Sequence, residues 1–145
     1  MSHALQQRST AIKKVFCWGT FDILHQGHLE FLKDAKRHGN RLAVIVITDA
    51  TCYENKGRMP KHTQAERGRA LESMPIVDEV ILASGELEKD IERYASMRPY
   101  AFVFGYDQQT PVEERIKAYF KKRKLRTRFY ISKEFAGGLH TRDLI

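Results

Sequence analysis

Only two of the 145 residues are cysteine, Cys17 and Cys52. They are too few for a disulfide framework and too far apart for the close pairs that hold structural zinc. A reducing, cytoplasmic setting is the expectation. Long apolar runs are missing as well. The longest, Leu-Ala-Val-Ile-Val-Ile at 42–47, falls far short of the roughly 20 residues that a bilayer-spanning helix needs, so a membrane partner is not expected. Residues 1–10 are polar, without the apolar core of a secretory signal. No internal repeat, low-complexity tract or interdomain linker interrupts the chain. With 42% hydrophobic and 30% charged residues, the length suits one domain that buries a core without disulfides or metals. We read 1–13 as an N-terminal extension and 14–145 as that domain.

Acidic residues are outnumbered, 18 against 25 Lys and Arg, for a formal charge of +7. Much of the excess lies late, in Lys117, Lys121, Lys122, Arg123, Lys124, Arg126 and Arg128. These surround the end of a predicted helix, where cations complement the helix dipole and keep a face solvated. No RNA-binding signature with interleaved aromatics accompanies them, so nucleic acid is not an expected partner. A polyanionic small substrate accounts for the same balance.

Strand and helix signals alternate with short connections. Strands are predicted at 14–18, 41–48, 78–83, 101–104 and 128–131, and helices at 63–74, 86–97 and 111–124. Another helix follows the first strand, with Leu29, Leu32 and Ala35 at helical spacing, and a short one ends the chain within 137–145. Thr63 followed by Glu66 reads as a capping box, and 49–62 reads as a polar loop. The pattern predicts an α/β fold: a single Rossmann-like domain whose five-stranded parallel sheet has helices on both faces. All strand ends of such a sheet lie on one edge, where ligands gather.

The segment Gly19-Thr20-Phe21-Asp22-Ile23-Leu24-His25-Gln26-Gly27-His28 turns from the first strand into the first helix. Helix N-termini offer free N–H groups and a positive dipole end, which suits phosphate. Two imidazoles three residues apart at such a terminus lie on one face and can donate to the same phosphate oxygens. Lys56 and Arg58 stand on the long segment after the second strand, and Arg67, suited to a bidentate phosphate grip, stands early in the next helix. At the end of the fourth strand, Gly105 admits a planar base. Asp107, followed by Gln108, can accept from ribose hydroxyls or an exocyclic amine.

These motifs resemble those of nucleotidyltransferases related to cytidylyltransferases, which carry Gly-Thr-Phe-Asp-x-x-His-x-Gly-His after their first strand. The resemblance runs from about Lys14 to Ile145 and marks 14–145 as a nucleotidyltransferase domain. Gly105-Tyr106-Asp107-Gln108 is most similar to the motif of small archaeal-type FAD synthases, whereas glycerol-3-phosphate cytidylyltransferases usually show Gly-Asp-Asp-Trp there. The C-terminal Gly138-Leu139-His140-Thr141-Arg142-Asp143-Leu144-Ile145 is similar to the family's phosphate-holding Gly-Ile-Ser-Thr-Thr-x-Leu-Ile. Thr141 is kept, while His140 and Arg142 replace hydroxyl residues; both can still donate to phosphate. The Arg-Thr-x-Gly of cytidylyltransferases is absent, with Lys133-Glu134-Phe135-Ala136 nearby instead.

The resemblance implies transfer of a nucleoside monophosphate from a triphosphate to a phosphorylated acceptor, with release of pyrophosphate. FMN adenylylation leads; CTP-dependent transfer to glycerol 3-phosphate or another phosphorylated alcohol or sugar is the alternative, and a non-catalytic nucleotide-binding module a further one. It also implies His25, His28 and Lys56 as catalytic residues. Gly19, Thr20, Phe21, Asp22, Arg67, Gly105, Asp107, Gln108, His140 and Thr141 are implied as nucleotide-binding. No protein metal ligand is expected; Mg²⁺ would arrive with the triphosphate. A homodimer is implied by the resemblance alone.

Overall fold

The computed structural model describes residues 11–105 and 111–132. Among the described residues five strands and five helices follow in the order β1 (Lys14–Gly19), α1 (Gln26–Lys36), β2 (Arg41–Val46), α2 (Asp49–Lys56), α3 (Gln64–Glu72), β3 (Glu79–Leu82), α4 (Leu87–Ser96), β4 (Ala101–Phe104), α5 (Pro111–Lys122) and β5 (Arg128–Ile131). The sheet order is β3-β2-β1-β4-β5, and every pairing is parallel. The α/β sheet expected from the sequence is therefore present. The chain builds outward from β1 through β2 to β3, then returns to lay β4 on the other side of β1. That reversal opens a crevice beyond the carboxyl ends of β1 and β4.

Alternation along the strands sends side chains to two cores. Val15, Cys17, Leu42, Val44, Val46, Ala101 and Val103 meet Leu32 and Ala35 of α1 and Leu71 of α3 on one face. Phe16, Ala43, Ile45, Ile81, Phe102 and Phe104 meet Ile91, Tyr94 and Ala95 of α4 and Ile116 and Phe120 of α5 on the other. Burial on both faces explains why β2 is an unbroken aliphatic run. Both cysteines are buried and free, and burial pushes the Cys17 thiol up, which keeps it unreactive.

The expected polar loop at 49–62 is corrected: Asp49–Lys56 is helical. The Thr48 hydroxyl accepts from the Thr51 N–H at 3.0 Å and caps its start. Gly57, left-handed at φ 76°, ends it. Only Cys52 is buried on this helix, so it carries no apolar stripe for a periodicity reading to find. The capping box at Thr63 is present, Glu66 N–H to the Thr63 hydroxyl at 3.2 Å and Thr63 N–H to the Glu66 carboxylate at 2.9 Å. The other elements sit within two residues of their predicted ends. The predicted helix in 137–145 lies outside the described residues.

Candidate active site

At the mouth of the crevice, the two histidines build the start of α1 from their own side chains. His25 is the N-cap, extended at φ −151°, and its Nδ1 accepts from the Gly27 N–H at 3.0 Å. His28 Nδ1 reaches back to accept from the His25 N–H at 3.2 Å. This is a capping box in which imidazoles replace the usual hydroxyl and carboxylate. An accepting Nδ1 leaves the ring proton on Nε2, so each histidine keeps one N–H donor on a ring that its capping bond holds in place. The ring centroids are 4.6 Å apart. Burial, and then the neighbouring His25, lower the His28 pKa to about 4; near neutral pH His28 is therefore an uncharged donor.

The turn before them is braced from beneath. Phe21 takes a left-handed backbone, φ 53°, which sends its ring against His28 at 5.4 Å and Phe31 at 6.4 Å. A side chain at Gly19 would put its Cβ 2.8 Å from that ring, so the glycine of this motif makes room for the phenylalanine. Asp22 is buried, and its two carboxylate oxygens accept from the Lys61 and His62 N–H groups at 2.7 and 2.9 Å.

Arg67 is 1% exposed. It donates from Nη1 to the Thr20 carbonyl at 2.8 Å, from Nε to the His62 carbonyl at 3.0 Å and from Nη2 to the Asp49 carboxylate at 2.6 Å. These three contacts to protein oxygens brace the turn and use three of the five guanidinium N–H donors. Asp22 is likewise committed to the backbone of loop 57–63. Together the pair ties the β1–α1 turn, the start of α2 and that loop into one unit.

Thr20 is buried with its carbonyl taken by Arg67, and Gly105 is buried where β4 ends beside β1. Lys56 is exposed in the last turn of α2 and joins none of the ion pairs among the described residues. Asp107, Gln108, His140 and Thr141 lie outside the described residues. Gln64 was not singled out from the sequence. Its side-chain amide donates to the Val46 and Ala83 carbonyls, both at 2.9 Å, closing the carboxyl ends of β2 and β3. A glutamine in the first helical position carries no pattern signal for that role.

Among the described residues no cluster of three or more His, Cys, Asp or Glu side chains could hold a metal ion. No helix among the described residues is long and apolar enough to cross a membrane.

A parallel sheet with a switch point and a helix N-terminus headed by two imidazole donors is the arrangement of an α/β protein that handles phosphates. Residues 16–139 match the family model described as cytidylyltransferase-like. The chain belongs to that family, and it is a nucleotidyltransferase.

Among curated proteins it is 38% identical to the FAD synthase of Thermococcus sibiricus over 112 residues, 77% of this chain and 74% of the relative. It is 36% identical to the FAD synthase of Pyrococcus horikoshii over 102 residues, 70% and 68% of the two chains. Among solved structures, the lipopolysaccharide core biosynthesis protein of Thermoplasma volcanium aligns with a TM-score of 0.75 at 28% identity, over 86% of this chain and 99% of the other. Pantoate-beta-alanine ligase from Francisella tularensis, complexed with beta-gamma ATP and beta-alanine, aligns at 0.58 with 14% identity. It covers 92% of this chain and 65% of its own, and the likeness is one of fold.

Proposed function

We propose that this protein transfers the adenylyl group of ATP to FMN, giving FAD and pyrophosphate. The observation that carries the reading is the pair of Nε2 donors at the head of α1, in a chain whose relatives at 36–38% identity are FAD synthases. A phosphate oxygen of FMN attacks the α-phosphorus of ATP in line. The bond from that phosphorus to its bridging oxygen breaks, and pyrophosphate leaves with the electron pair. No enzyme nucleophile is needed, so the protein's part is to position the reactants and stabilise charge.

His25 and His28 donate to the α-phosphate and the bridging oxygen, where charge builds in the transition state. Lys56, Thr20, His140 and Thr141 supply further donors to the phosphates. Gly19, Phe21, Asp22, Gly105, Asp107 and Gln108 seat the nucleoside, and Arg67 draws charge from the phosphates while it holds the turn. Mg²⁺, when bound with ATP, screens the triphosphate charge. We place the reaction in the cytoplasm, in keeping with two free buried thiols, and in a homodimer, which sedimentation would check.

A mass-resolved product assay with Mg²⁺ tests the reading, crossing ATP and CTP against FMN and glycerol 3-phosphate. FAD from ATP and FMN is the expected product. A CDP-linked product in its place, or bound nucleotide with no pyrophosphate released, would overturn the assignment.

A further inference from the structure

The edge of the sheet opposite the histidines carries a second concentration of chemistry that nucleotidyl transfer leaves unused. A groove of about 490 Å³ lies where β4 and β5 begin, lined by Arg98, Tyr100, Lys124, Arg126, Thr127 and Arg128 among others, with no carboxylate in its wall. Its cations are exposed, and neither they nor Lys13 join any ion pair among the described residues. Lys13 and Arg128 lie over the Tyr100 ring at 5.3 and 4.5 Å from its centroid. Half-buried Leu125 and Thr127 alternate with exposed Arg126 and Arg128, and Thr127 is held by its hydroxyl to the Pro99 carbonyl at 2.7 Å. Alternate residues on an extended chain stand about 7 Å apart, close to the spacing of successive phosphates along an extended single strand.

The dipole of a helix C-terminus would explain one or two of these cations, since each terminus carries roughly half a negative charge. Two such termini, α4 and α5, end here. The run Lys-Lys-Arg-Lys-Leu-Arg-Thr-Arg at 121–128, together with Arg98 and Lys13, far exceeds them. Backbone conformation adds an independent mark. Among the described residues three non-glycine residues are left-handed: Phe21 in the active site, and Arg98 and Lys124 in this groove, at φ 48° and 57°. Both follow helix ends, where glycine is the usual occupant, and both positions hold cations instead. Strained backbone of this kind collects at binding sites.

Against the expectation from sequence, which saw no aromatic among these cations because Tyr100 comes from the segment entering β4, we propose that this groove binds the phosphate backbone of single-stranded nucleic acid. An enclosed small-ligand site would bury its polar groups, whereas here the cations are exposed, run on past the groove and border an aromatic ring. That arrangement is the one expected of a track for a strand, with sequence-tolerant, salt-dependent contacts. The proposal does not depend on which nucleotide or acceptor the active site uses.

Fluorescence anisotropy of a labelled 12-nucleotide RNA of mixed sequence, between 50 and 200 mM salt, tests it on the full chain. The comparison is the exposed triple substitution Arg98→Gln, Lys124→Gln, Arg126→Gln, with its thermal melt confirming the fold. Wild type should bind at 50 mM salt, and Mg²⁺-ATP at saturation should not displace the RNA. The triple variant should bind at least tenfold more weakly, with a log–log salt slope shallower by about 2, at roughly 0.7 per lost phosphate contact. No binding by wild type, equal binding by the variant, or displacement by ATP would each overturn the proposal. Inorganic tripolyphosphate competing as well as the oligonucleotide would instead assign the groove to a small anion. Phosphatidylserine vesicles bound in place of RNA would assign it to a membrane surface, and either result sinks the strand.

Discussion

The two histidines each hold two jobs, and the atoms divide cleanly between them: Nδ1 caps the helix, and Nε2 is free to donate. Substitutions can therefore separate structure from chemistry. Aspartate is among the best N-cap residues and glutamate suits the third helical position of a capping box, and neither has an N–H, so His25→Asp and His28→Glu should each keep α1 intact while losing the Nε2 donor. Stability is expected to change by no more than about 1 kcal/mol, and kcat to fall by about 10²–10³, as when one donor to developing charge is removed. Steady-state kinetics beside urea unfolding check this; unchanged turnover in either variant would show that its imidazole only caps.

His28 also makes stability depend on pH. Its folded pKa, about 4, lies below the ordinary histidine value of 6.5, so between those values the unfolded chain binds the proton that the folded chain refuses. Stability from this site is full above about pH 6.5 and is lost as the pH falls toward 4. The expected loss is about 2 kcal/mol between pH 7.5 and pH 5. His28→Gln should flatten the profile by that amount in urea titrations at the two pH values, and parallel profiles would show that His28 titrates normally.

At the scale of elements, the β1–α1 turn depends on a contact within itself. Gly19 leaves room for the Phe21 ring, and the ring packs on His28. Gly19→Ala would put a methyl group 2.8 Å from that ring. Phe21 must then shift, at a cost of about 1–3 kcal/mol, and its contact with His28 goes with it. We expect kcat/KM to fall at least tenfold with a lowered Tm; a variant with wild-type kinetics would mean that the turn tolerates a moved phenylalanine.

How much could be read from sequence differs by element for physical reasons. Strands β1, β2 and β4 and helices α1 and α5 announce themselves through apolar runs or periodicity, because each is defined by the core that it buries. The Thr63 capping box could be read because its two partners are local. Helix α2 could not, because it buries only Cys52 and owes its form to Thr48 and Gly57 at its ends. At the active site, the histidine pair and Gly19 were legible as a motif. The bracing contacts of Asp22, Gln64 and Arg67 were not, since all but the Arg67 bond to His62 reach across 18 to 47 residues.

Across the whole molecule those long-range ties matter more than any one contact. The five strands form a stiff platform, with β1, β2 and β4 in its middle, and the groups that would touch substrate sit on connections above its carboxyl edge. Asp22 and Arg67 fasten the β1–α1 turn to loop 57–63 and to the head of α2. Connections clamped in this way should respond to a ligand as one cooperative unit. On adding Mg²⁺-ATP, amides in 20–28 and in 57–64 are therefore expected to gain protection from hydrogen exchange together, while the central strands exchange slowly with or without nucleotide. Arg67→Lys keeps the charge but lacks the planar fork that reaches Thr20, His62 and Asp49 at once. With one buried charge left partly unpaired, it should lose about 3 kcal/mol of stability and uncouple the two segments, so that nucleotide protects 20–28 alone. Exchange measured by mass spectrometry on both proteins gives the answer. If the variant still protects both segments in concert, Asp22 is sufficient as the tie and Arg67 only fills space beneath the turn.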